Sequence, residues 1–161
     1  SYTENGYVAF SASGPDGKLP YHDFDKTGVV LSAIGANAGI TWLAQGKWSC
    51  IKNTIRFWST DEEYPTEYLY HVARKRGFFP LRGSAQPFVS QTDARNRSVL
   101  LPNNGSARRF AEIFRPFYTL AHSLEMESAT LTEIRDALLP RLMSGEFPVP
   151  DAEKLLSEAP L

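Results

Sequence analysis

Three acids and a lysine, Asp16, Asp23, Asp25 and Lys26, stand close together near the start of the chain. A metal-dependent nuclease would use such a cluster, but the acids and the lysine are not in D/E-x-K spacing. The stretch that carries them, SASGPDGKLPYHDFDKTG (11–28), reads as turns and surface loop. His22, His71 and His122 are scattered, with no His-x3-His pair, and Cys50 is the only cysteine, so neither a zinc cluster nor an internal disulfide is expected. GANAGIT (35–41) lacks the lysine of a phosphate-binding loop. No Asn/Asp-Pro-Pro-aromatic tetrapeptide is present to hold a target amine, and no serine sits in a G-x-S-x-G elbow. The residues therefore point to a protein without a reaction of its own.

Charge points elsewhere. The chain of 161 residues carries a net charge of −1, but that charge is segregated. Residues 1–109 hold 13 Lys+Arg against 9 Asp+Glu, and residues 110–161 hold 4 against 9. A basic globular part joined to an acidic helical part suits phosphate contact at one end and protein contact at the other. No apolar run approaches the roughly 20 residues of a membrane span. The start, SYTENGYVAF, has neither a basic flank nor a small-residue cleavage site, so the cytoplasm is the expected compartment.

The elements that must position these residues divide the chain into three parts, in an α+β class. Residues 1–105 read as a small β-rich domain, 106–145 as one long helix and 146–161 as a tail in which AEKLLSEA forms a turn or two of helix. Within the first part, VVLSAIG (29–35) is a strand and GANAG a turn. KWSCIKNTIRFW (47–58) reads as a single strand with Ile51, Ile55 and Phe57 on one face and Lys52, Thr54 and Arg56 on the other. PTEYLYHVARKRG (65–77) is a short helix, with Pro65 at its first position and Gly77 just past its end. GSAQP (83–87) is a turn leading to a strand, RSVLLP (97–102).

The last third has a different period. Phe110, Ile113, Phe117, Leu120, Leu124, Leu131, Ile134 and Leu138 are spaced alternately by three and four, with Glu127 in the one polar slot. This heptad pattern predicts a left-handed coiled coil on a helix from Ser106 to about Met143, roughly 54 Å long. Pro116 and Pro140 predict a kink near 112–116 and a loosened end near 140. A domain of this size cannot cover the whole stripe. A partner helix, from a second copy or another protein, is the cheaper solution; packing across its own domain is the other reading.

Two stretches resemble a known family. LTEIRDALLPRLMSGEF (131–147) is similar to the helix end of type I restriction–modification specificity subunits, where Leu-Arg-Asp-x-Leu-Leu-Pro-Lys-Leu-Met-Ser-Gly-Glu-Ile recurs. Ile134, Arg141 and Phe147 stand where that pattern has leucine, lysine and isoleucine. GSAQPFVSQTDARNRSVLLP (83–102) resembles the family's Gly-Ser/Thr-x-Gln-Pro turn and the strand after it. The resemblance implies a target-recognition domain for double-stranded DNA. It also implies docking of methyltransferase (modification) and restriction subunits, which would carry S-adenosylmethionine, ATP and Mg, with no cofactor on this chain. Family members have two recognition domains and two antiparallel helices. One of each here implies a fragment or half-subunit that reads a half-site, whose domain lacks its opening segment and whose helix forms a homodimer or pairs with a second half-subunit.

On that resemblance, phosphate contacts are expected from Lys18, Lys47, Lys52, Arg56, Arg82, Arg95 and Arg97, and base contacts from Asn37, Asn53, Gln86 and Gln91. Arg74, Lys75 and Arg76 are either a further phosphate site or a helix end favoured by the dipole. Gln86 serves either base reading or the turn itself. The competing reading of the whole chain is a coiled-coil scaffold whose globular head binds protein.

Overall fold

The computed structural model describes residues 2–3, 5–103 and 105–146. The chain divides into two compact units, Ser1–Arg115 and Pro116–Leu161. Among the described residues the first unit holds seven strands: β1 (Tyr7–Ser11), β2 (Gly14–Leu19), β3 (Phe24–Asp25), β4 (Gly28–Ser32), β5 (Thr41–Ala44), β6 (Lys47–Cys50) and β7 (Thr54–Phe57). With them lie two short helices, α1 (Thr66–Ala73) and α2 (Gln91–Arg95), and the first turns of α3 (Ser106–Met143). The architecture is α+β.

The strands form two sheets. One runs β2-β1-β6-β3, with β1 and β6 parallel and the other pairs antiparallel; the other is antiparallel, β5-β4-β7. Every residue of β4, GVVLS, is buried, because its two faces supply two cores. Val30 joins Phe10, Ala44 and Trp48 between the sheets, and Leu31 joins Ala73, Phe79 and Val89 on the opposite side. A strand covered on both faces reads as a continuous apolar run rather than an alternation, which is how 29–35 reads. Each such side chain stabilises the fold by roughly 1.5–3 kcal/mol. Trp48 is fixed further by its indole N–H, which donates to the Lys26 carbonyl at 2.7 Å.

Four expectations need correction. The 11–28 segment is not all loop, since it contains β2 and β3. The single strand expected at 47–58 is two strands in different sheets. Its alternation passes unbroken through a turn at 51–53, where Asn53 takes φ +64° and the Thr54 hydroxyl donates to the Ile51 carbonyl at 2.8 Å. Asparagine enters that left-handed region more readily than most residues. No strand forms at 97–102, where Leu100 is 87% exposed and its carbonyl accepts the Tyr68 hydroxyl. The helix α2 was not expected, although Ser90 and Asp93 carry the Ser-x-x-Asp signature of a capped start.

Both expected helices form. Pro65 is the residue immediately before α1, and Gly77 follows its end at φ +79°. The long helix runs from Ser106 to Met143 and is helical through both Pro116 and Pro140. The tail helix lies outside the described residues.

Candidate nucleic-acid interface

A groove of about 460 Å³ lies between β7 and α2. One wall is Thr54, Ile55, Arg56, Phe57 and Trp58; the other is Gln91, Ala94 and Arg95. Three candidates chosen from the sequence, Arg56, Gln91 and Arg95, thus line one groove, with the Arg56 guanidinium on the Phe24 side of β7 and α2 packed on the Ile55 and Phe57 side. Gln91 and Arg95 are four apart on a helix and share a face. Arg56 is steadied by the Phe24 ring, 5.0 Å from its guanidinium carbon, and Lys26 lies 4.6 Å over the Trp58 ring. Lys26, Thr54 and Trp58 were not among the sequence candidates. Lys26 lies in the 11–28 segment, from which Lys18 was chosen instead, and Thr54 is neither a cation nor a long amide.

What holds α2 in place is Asp93. The Ser90 hydroxyl caps the helix by accepting from the Asp93 backbone N–H at 3.0 Å, and donates to the Asp93 carboxylate at 2.7 Å. Arg82 closes on the same carboxylate with two hydrogen bonds, from Nε at 2.5 Å and Nη2 at 2.8 Å. Bidentate pairing of this kind is directional as well as strong. The Arg82 guanidinium and the Ser90 hydroxyl hold the Asp93 carboxyl down at about 2, against an ordinary 3.8. Arg82, expected to meet phosphate, has a partner within the domain.

Arg82 also opens the turn at 83–87, where its backbone N–H and carbonyl bond with those of Phe88 at 2.9 Å each way. Gly83 sits at φ +79°, and a Cβ there would come within 2.5 Å of the Gln86 carbonyl, so the tight turn requires glycine. Gln86 is exposed in this turn.

The other candidates are placed separately. Lys52 and Asn53 line a cleft of about 520 Å³ with Tyr2, Leu19, Tyr21 and Ile51. Lys18 is half-buried in β2. Lys47 lies 5.7 Å over the Tyr7 ring, which His22 meets edge-on. Arg74 ends α1 with its guanidinium 5.5 Å over Tyr70, and Lys75 and Arg76 follow it, exposed. Arg97 reaches the same region, 5.1 Å over Phe78, whose backbone N–H bonds the Lys75 carbonyl. Asn37 is half-buried in the β4–β5 turn, where its carbonyl accepts from Ile40. A third cleft, of about 400 Å³, mixes Arg108 and Arg115 with Asp61, Glu62 and Glu112, a poor match to polyanions. Among the described residues no group of His, Cys, Asp and Glu could hold a metal ion, and no helix is long and apolar enough to cross a membrane.

The start of α3 packs on α1 within the first unit. Phe110 lies between Tyr68, His71 and Phe114, with ring centroids 6.0, 4.6 and 4.3 Å away. Arg115 Nε donates to the buried Glu67 carboxylate at 2.7 Å. Further along, the heptad stripe is open: Leu120, Leu124 and Leu131 are 57%, 54% and 52% exposed, and Ile113 and Phe117 are exposed as well. Ile134 and Leu138 are half-buried.

No family model matches the chain. It is 26% identical, over 85 residues, to the type I restriction enzyme MjaIX specificity subunit of Methanocaldococcus jannaschii, an alignment covering 51% of this chain and 20% of that protein. Its fold matches the crystal structure of the type I restriction–modification S subunit from M. genitalium with a TM-score of 0.62 at 16% identity, over 89% of this chain and 40% of that one. The chain therefore spans well under half the length of the relatives it matches. The likeness read from the 83–102 and 131–147 motifs is joined by a sequence match over about half of the chain and by a match in fold: the chain is similar to the specificity subunits of type I restriction–modification systems.

Proposed function

We propose that this chain binds double-stranded DNA sequence-selectively as the recognition part of a type I specificity subunit, and carries no reaction itself. The observation that carries the reading is that Arg56, Gln91 and Arg95, from distant parts of the sequence, line one groove of a fold shared with such a subunit. Cations there supply affinity through phosphate contacts and counterion release, while sequence is read from base edges by nearby amides. The domain reads a half-site. The chain docks methyltransferase and restriction subunits, which bring S-adenosylmethionine, ATP and Mg. The exposed stripe of α3 pairs with a second copy or a second half-subunit as a coiled coil, and the complex works in the cytoplasm.

The test is selection from a pool of randomised duplexes, with the chain alone and with a modification subunit from the same source. Enrichment of one short site supports the reading. Recovery of no duplex over background in either case would overturn it and favour a protein-binding scaffold.

A further inference from the structure

The shape of the β7–α2 groove assigns its residues a role that their types alone do not. Base edges in the major groove are met by protein elements that protrude, whereas a concave channel receives the convex edge of a duplex, its sugar–phosphate strand. We propose, building on the DNA-binding reading above, that this groove is a track for the backbone of one strand. Arg56 and Arg95 clamp phosphates from opposite walls, and Gln91 gives a neutral hydrogen bond to a phosphate oxygen rather than reading adenine. Base reading then falls to exposed turns, among which Gln86 at 83–87 and Asn53 at 51–53 are placed to serve.

Asp93 does not line the groove, but it belongs to the helix that forms one of its walls. Two residues from both Gln91 and Arg95, it projects from another face of α2, where an unpaired carboxylate would still add negative charge near the strand. Arg82 takes both of its oxygens and Ser90 one, so its charge is met inside the domain. Arg82 is thus a positioning residue: it contributes to DNA affinity by neutralising and orienting Asp93, not by touching phosphate.

The experiment uses the full chain, with the modification subunit if selection requires it, and a duplex recovered by that selection. Affinity is measured between about 50 and about 200 mM salt. Each phosphate contact contributes about 0.9 to the slope of log K against log salt, so losing one removes about 3.5-fold of the affinity lost over that range. Arg56→Ala and Arg95→Ala each reduce the slope by about one contact and weaken binding alike on every sequence. Gln91→Ala weakens binding with the slope and the base preferences unchanged. Arg82→Ala weakens binding, and Asp93→Asn added to it restores affinity to within about threefold of wild type; a direct Arg82–phosphate contact would not be rescued.

Loss of preference at one base pair in Gln91→Ala would overturn the backbone assignment. Unchanged affinity and slope in Arg56→Ala and Arg95→Ala, with selective binding intact, would remove the groove from the interface while leaving the DNA reading standing. Absence of selective binding by the wild type would overturn both. Failure of Asp93→Asn to rescue would overturn the role given to Arg82.

Discussion

Replacing Arg115 by methionine isolates one interaction that ties the start of α3 to α1. The Glu67 carboxylate is 6% exposed and accepts Arg115 Nε at 2.7 Å; the Arg115 side chain is 52% exposed. Methionine keeps the aliphatic stem and removes the charge, leaving a buried carboxylate without its cation. Breaking a fully buried pair costs about 3–5 kcal/mol, but water reaching the arginine side offers the carboxylate partial solvation, so about 2 kcal/mol is expected here. For a unit of this size that lowers Tm by roughly 8 °C. Glu67→Gln should cost about 1 kcal/mol, since the amide oxygen still accepts the bond and the half-exposed arginine stays hydrated. The double variant Glu67→Gln/Arg115→Met should be more stable than the two single losses added together, because the neutral amide no longer needs the cation. Urea unfolding of the four proteins at neutral pH measures this. An Arg115→Met variant within about 0.5 kcal/mol of wild type, or strictly additive losses, would refute the reasoning.

Three further outcomes follow from the same structure. Leu124→Lys puts a charge in the middle of the exposed α3 stripe; if two copies pair there, losing about 2 kcal/mol on each side weakens the dimer by roughly three orders of magnitude, and sedimentation should show monomer where wild type is dimeric. Asp93, held at about 2 in the fold, contributes stability that is complete above its unfolded value near 4 and is lost as pH falls through about 2. The stability gap between wild type and Asp93→Asn, read by urea unfolding, should therefore be wide at about pH 5 and shrink by about pH 2.5; a constant gap would contradict the pairing. Gly28→Ala would place a Cβ 2.5 Å from the buried Trp48 ring, and overpacking of that kind should lower the urea midpoint by the equivalent of about 1–3 kcal/mol.

Much of the fold is legible in local sequence where one signal dominates. The heptads and Ser106 define α3, and Pro65 and Gly77 frame α1. The misses share a cause: local pattern and tertiary context disagree. The alternation through 47–58 is real, yet Asn53 turns the chain between two sheets without disturbing it. β2 carries Gly14, Pro15 and Gly17, turn residues tolerated because it is an edge strand of its sheet. Val99, Leu100 and Leu101 look like a strand but find no neighbour to pair with. At the site, residue type marked Arg56, Gln91 and Arg95 as candidates, but their sharing of one groove depends on how α2 packs near β7, which no local spacing encodes. Arg82 shows the converse, a cation of the right type whose partner lies eleven residues on, in a helix the sequence reading lacked.

The central claim, that this chain reads duplex DNA, is tested most directly by titrating a fluorescent random-sequence duplex with the chain, alone and with a modification subunit, at about 50 and about 200 mM salt. The expected result is salt-sensitive binding with a slope set by several phosphates, becoming tight and sequence-selective when the modification subunit is added. Binding that is absent at low salt in both cases would contradict it.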